Sequence, residues 1–255
     1  MTATTSPIRG DHPATRPPAR RWPFPWVIAE GQVVMALLAA LGYGLAVACV
    51  VVGIARRGTI TGSIWEPAAN AVPWYTGFIA GYLVFQMVPM LVANGFTRRD
   101  AARSVSAVVA LLSAVAALVT TLGYLIEYVA FRWQGWPLAI GGDHLFTRHT
   151  QVGEILWESL LTMALWSAIG SFIGAALYRW EHAGWLAFVP AGLILSAVGI
   201  FITARPPFFN DAIERALPDW GRSLPMATVA TLVALAGCGG ILWWIVRDMP
   251  LRRWR

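Results

Sequence analysis

Residues Val105–Tyr128 read VSAVVALLSAVAALVTTLGYLIEY, and Glu127 is the first charge after Arg103. A helix needs about 20 mostly apolar residues to cross roughly 30 Å of bilayer hydrocarbon, and this stretch is long enough. Five more segments qualify: Val33–Ile54, Trp74–Ala93, Ile155–Tyr178, Trp185–Ala204 and Met226–Val246. In lipid every backbone polar group must be satisfied internally, so these segments are expected as helices. The short alternating segments of a β-barrel are absent. The expected fold class is all-α, a polytopic membrane protein with six transmembrane helices.

Composition agrees with that reading. Of 255 residues, 57% are hydrophobic and 13% are charged, and mean hydropathy is +0.60. Soluble domains carry about 25% charged residues. The apolarity excludes a disordered chain. Two cysteines, Cys49 and Cys238, exclude a secreted disulfide scaffold, and both fall inside spans as small apolar packing residues. A net charge of +6 invites a nucleic-acid reading. In a membrane protein, however, basic excess reflects cytoplasmic loops facing anionic lipid, so membrane lipids and not nucleic acid are the expected partners.

Arginine placement sets the expected orientation. Arg9, Arg16, Arg20, Arg21, Arg98, Arg99, Arg103, Arg179, Arg247, Arg252, Arg253 and Arg255 fall on one side, and the other seven of the 19 basic residues on the opposite side. The positive-inside rule then puts both termini in the cytoplasm, as an even number of spans requires. Residues 1–25, rich in proline, are expected as a disordered cytoplasmic tail, 26–247 as the transmembrane domain and 248–255 as a basic cytoplasmic tail. Trp22, Trp26, Trp65, Trp74, Trp133, Trp180, Trp185, Trp243 and Trp244 lie near span ends, where amphipathic rings anchor at the lipid interface. Small residues of the third span, Ser106, Ala107, Ala110 and Ser113 among them, predict close helix approach, as do Gly170 and Gly174 in the fourth and Gly237, Gly239 and Gly240 in the sixth. Pro89 and Pro190 are expected to kink their spans. In the external connection 205–225, Asn210 could cap a short helix before the last span.

The most informative connection runs Met87-Val-Pro-Met-Leu-Val-Ala-Asn94-Gly95-Phe96-Thr97-Arg98-Arg99-Asp100-Ala-Ala-Arg103-Ser104. Asn-Gly breaks the helix, and Thr97 stands three residues before Asp100, a capping-box spacing with Asp in place of Glu or Gln. A short cationic helix on the cytoplasmic face is expected to follow. Without further information it reads as a basic loop at the lipid headgroups.

This stretch, with the six-span layout, resembles the cytoplasmic loop of permease subunits of type-2 ABC exporters. The resemblance implies a coupling helix docking onto a separate ATPase subunit. Asn94, Gly95, Phe96, Thr97, Arg98, Arg99, Asp100 and Arg103 would form the partner-coupling set. Gly95 would make the turn, Phe96 would anchor, Thr97 would cap, and Arg98 and Arg99 would meet acidic or carbonyl groups of the partner. It implies a second permease protomer, identical or not. No GxxxxGK[ST] loop is present, so no cofactor is expected on this chain, and ATP and Mg would sit on the partner.

The other polar residues stay open between roles. Gln86 lies inside the second span, where polar groups face the bundle or a cavity. Glu154 and Glu158 share a helix face at the outer end of the fourth span: they would bind a cationic substrate or mark a hydrated helix start. Glu127 would line a pathway or pair with Arg132. These four are the possible transport pathway. Asp143, His144 and His149 invite a metal reading, but a five-residue spacing does not align two histidines on one helical face, and no metal site is expected. Nucleophilic catalysis has no support, since Ser104, Ser106 and Ser113 lack a His or Asp at their depth. The alternatives to a transport subunit are a lipid-modifying membrane enzyme working through residues 129–158, and a membrane interaction or immunity protein.

Overall fold

The computed structural model describes residues 26–55, 62–137, 140, 144–202 and 223–249. They form α1 (Trp26–Ala55), α2 (Trp65–Ala69), α3 (Ala71–Ala93), α4 (Arg98–Gln134), α5 (Val152–Trp180), a 3-10 turn (Gly184–Ala187) leading into α6 (Phe188–Ile202), and α7 (Leu224–Arg247). No strand occurs among the described residues. Five helical segments, 65–93, 98–134, 152–180, 184–202 and 224–247, are long and apolar enough to cross a membrane. The first expected span falls within α1. The N-terminal tail, the expected helix after Asn210 and residues 250–255 of the C-terminal tail lie outside the described residues.

The expected short basic helix is not a separate element. Residues 98–103 are the first turns of α4, which runs unbroken for 37 residues, about 55 Å at 1.5 Å per residue. That length exceeds the hydrocarbon thickness, so α4 carries its basic start beyond the span.

The bundle is organised on the parallel pair α3 and α5. A Cβ on Gly170 would overlap the Gly77 carbonyl, and one on Gly174 the Gly81 carbonyl, while one on Gly81 would sit 2.7 Å from the Gly170 carbonyl oxygen. The GxxxG of α5 therefore meets a second one, Gly77 and Gly81, on α3, and the two backbones touch where side chains would hold them apart. At this contact Trp74 lies against Trp166, with ring centroids 4.4 Å apart. Leu83, Val84 and Val88 of α3 then bury with Val105 and Val108 of α4 and Ile245 and Val246 of α7. The glycines of α7 behave otherwise: a Cβ at Gly237, Gly239 or Gly240 would meet nothing within 4 Å, so they mark no close approach within the chain.

Two ends follow from the helix directions. At one, Arg98 and Arg179 donate to the last carbonyls of α7: Arg98 to Arg247 O, and Arg179 to Ile245 O at 3.2 Å. Guanidinium groups thus satisfy carbonyls that a helix C-terminus leaves unpaired, where its dipole favours a cation. Arg179 also lies over the Trp244 ring at 4.9 Å. At the opposite end α2 folds down onto α4. Pro190 falls in the first turn of α6, just after the 3-10 turn, where the helix is only starting, so it marks an entry rather than a mid-span kink. Pro89 lies inside α3.

Tryptophan exposure separates anchors from core. Trp74, Trp133, Trp180, Trp185, Trp243 and Trp244 are exposed, whereas Trp65 is buried. Its ring lies against α4 where Gly123 has no side chain, and its Nε1 donates to Thr120 O at 3.0 Å. Trp65 is therefore a packing residue and not an interface anchor.

Candidate functional site

A group of buried polar side chains sits at the α2 end, between α4, α5 and the segment 144–151. Glu127 accepts from Ser63 Oγ (2.7 Å), Ile64 N (2.6 Å) and Trp65 N (2.9 Å). It caps the start of α2, supplying the acceptor that exposed N–H groups at a helix N-terminus require. The expected pairing with Arg132 does not form; Arg132 donates to the Tyr128 hydroxyl at 3.1 Å. Glu158, also buried, accepts from Leu145 N at 2.7 Å and faces His144 Nδ1 at 2.7 Å. The other nitrogen of His144 faces Glu66 at 3.7 Å.

The histidines meet through the loop and not through helical spacing. Tyr124 lies 6.1 Å from the His144 ring and 6.2 Å from that of His149, and Phe146 stacks on His144 at 4.6 Å. Gln151 holds the loop closed by accepting from Thr147 N and Arg148 N, both at 2.8 Å, and donating to Glu154 at 2.9 Å. His149 is buried, stacks on Tyr128 and leaves Nε2 without a hydrogen-bond partner. Burial holds its pKa below the ordinary histidine value; the carboxylates of Glu127 and Glu66 oppose that shift, and His144 reinforces it. No group of three or more His, Cys, Asp or Glu able to hold a metal occurs among the described residues; Asp143 lies outside them.

Of the four expected pathway residues, Glu127 and Glu158 therefore come together in one cluster and Glu154 borders it. Gln86 is apart, exposed on the outer surface of α3. Spacing within a helix could not find this cluster, because its members come from four segments.

At the arginine end the turn 94–97 is built from two helix caps. Gly95 takes φ +90°, its N–H bonds Val92 O at 3.0 Å, and the Phe96 N–H bonds Leu91 O at 3.2 Å. This is a Schellman closure, and Phe96 packs back on the core that contains Leu91. Thr97 then caps α4, accepting from Asp100 N at 3.1 Å and donating to Asp100 Oδ2 at 2.6 Å. Asp is one methylene shorter than Glu, and it bonds the Thr97 hydroxyl where a full capping box bonds the main-chain N–H. Phe96 and Arg98 thus face their own bundle, while Asn94, Arg99, Asp100 and Arg103 are exposed.

Arg99 and Arg103 also border an open cavity of about 550 Å³ between α3, α4 and α7. A second cavity of about 450 Å³, floored by α5, shares Val84, Ser106, Gly239 and Leu242 with it. Ser106 and Ala110, expected to bring helices together, line this groove instead, since α7 does not close on that face of α4, whereas Ser113 does join two helices, its hydroxyl 2.8 Å from that of Ser167 on α5.

No protein-family model, curated protein or solved structure matches the chain.

Proposed function

We propose that the chain is the permease subunit of an ATP-driven ABC exporter, with six spans, both termini in the cytoplasm and a separate ATPase docking at residues 94–103. The observation that carries this reading is the exposed double-capped turn. Gly95 and Thr97 end one helix and begin the next within four residues. Phe96 ties the turn to the core, and Arg98 ties α4 to the end of α7. A push on the turn would move α3, α4 and α7 as one body, the kind of rigid motion that alternating access uses. In this assignment Asn94 and Asp100 meet the ATPase, and Gly95, Phe96, Thr97 and Arg98 transmit the motion.

The second protomer has a place in this reading. Trp74, Phe78, Tyr82 and Gln86 recur at four-residue intervals on α3 and are all exposed. A carboxamide inside a span is expected to find a partner on a neighbouring helix, and this stripe is where a second permease would supply it.

The test is recovery of tagged protein from native membranes in mild detergent. Wild type should bring down a soluble ATPase bearing a phosphate-binding loop, and Asn94→Trp should lose it. Recovery of no ATPase with wild type would remove the reading.

A further inference from the structure

The groove between α3, α4 and α7 has the polarity of an amphiphile. Its mouth carries Arg99 and Arg103, one helical turn apart on α4, and neither forms an ion pair among the described residues. Trp243 lines the same end. Away from the arginines the lining is apolar or small: Val109, Ala110, Leu160, Ala164 and Leu235. The buried hydroxyl pair there is already engaged, with Ser113 Oγ 2.9 Å from Val109 O and 2.8 Å from Ser167 Oγ.

We propose that this groove binds one anionic phospholipid, its phosphate on Arg99 and Arg103 and an acyl chain along Val84, Ser106, Gly239 and Leu242. Guanidinium groups suit a phosphate because they present paired donors in a plane. The dimensions agree. From Arg99 to Ser113 is 14 residues of α4, about 21 Å of helix. Half of a bilayer of about 42 Å, headgroups included, is the same length. The groove therefore reaches from the headgroups to the midplane, as one leaflet's lipid does. A neighbouring chain's apolar helix would fill the deep part but leave both arginines uncompensated. A free phosphate would leave the deep part empty. The proposal rests on the helices lying in a membrane, not on the exporter reading.

The experiment is native mass spectrometry of the full chain, purified and delipidated in mild detergent. Phosphatidylglycerol, phosphatidylcholine with the same acyl chains, or inorganic phosphate is added back. Wild type should retain one phosphatidylglycerol per chain, preferred over phosphatidylcholine by about 25-fold, since each arginine near an anionic headgroup contributes about fivefold. Arg99→Gln/Arg103→Gln should erase the preference, and Arg99→Lys/Arg103→Lys should keep most of it. Gly239→Leu has open space for its side chain and should reduce retention of both lipids without touching the arginines or the turn. That variant should still recover the ATPase in the pull-down, and Asn94→Trp should still bind lipid, so the two readings fail separately.

Equal retention of the two lipids, retention unchanged in Gly239→Leu, or no retained lipid at all would overturn the proposal. Displacement of the lipid by millimolar inorganic phosphate would reduce the site to an anion site and overturn it too. A lipid-free dimer that Gly239→Leu dissociates would put a second copy in the groove, with the same consequence.

Discussion

The Glu127 carboxylate holds the main-chain N–H of Trp65 at 2.9 Å across a separation of 62 residues, while the Trp65 indole donates to Thr120 O about two turns earlier on the same helix. Each end of α4's contact with α2 thus depends on the other: the carboxylate orients the start of α2, and the ring fills the space Gly123 leaves. α1 joins this assembly where the Tyr43 hydroxyl donates to Ala68 O at 2.6 Å.

Glu127→Ala should leave the Ile64 and Trp65 N–H groups without an acceptor. A buried donor left unpaired costs about 1–3 kcal/mol, so the pair predicts a loss of about 3 kcal/mol. Hydrogen exchange at Ile64 and Trp65 should speed up, while exchange in α7 stays unchanged. Protection at Ile64 and Trp65 equal to wild type would show that the carboxylate is not their acceptor.

The α3–α5 crossing predicts opposite outcomes for one chemical change. Gly170→Ala forces a methyl into the Gly77 carbonyl and should destabilise by about 2 kcal/mol or more, as overpacking does. Gly240→Ala meets nothing and removes a flexible residue from a helix, so stability should hold or rise by up to about 1 kcal/mol. Thermal unfolding of both variants in the same detergent checks the pair.

Acid should loosen the α2 end. His149 has a folded-state pKa below its ordinary value of 6.5, so the unfolded chain binds its proton more readily. The stability this contributes is fully present above about pH 6.5 and is lost as pH falls from there toward the folded pKa. The groups facing it are Glu127 on α4, Glu66 on α2 and His144 in the loop, with Tyr124 and Tyr128 against its ring. His149→Gln should flatten the dependence of melting temperature on pH below about 6.5. A slope unchanged in that variant would assign the acid response to another group.

The two arginine caps of α7 should show up as fraying. Arg98→Ala and Arg179→Ala each remove a charge-assisted bond to a terminal carbonyl. At these partly exposed sites each is worth about 1 kcal/mol. Hydrogen exchange should rise in the last turn of α7 and stay level in its middle. In Arg99→Ala, whose side chain bonds no carbonyl of α7, the last turn should keep its protection.

What could be read without a fold was what depends on neighbours in sequence. Apolar length marked the segments that became long helices, because the backbone's hydrogen bonds in lipid must close within the segment. The turn at Asn94–Asp100 was legible too, since a Schellman closure and an N-cap involve residues within one turn of each other. What tertiary structure decided was every role set by a partner far along the chain. Glu127 and Glu158 stood open between a pathway and a structural role, and their main-chain partners, N–H groups of α2 and the 144–151 segment, came only with the fold. Phe96 and Arg98 read as partner-facing until the end of α7 and the core packed against them. Gly170 and Gly174 announced a close approach without naming Gly77 and Gly81, and Ser106 and Ala110 of α4 gave the same signal where a groove stands open. A missing side chain permits either contact or space, and only the position of the facing helix chooses between them.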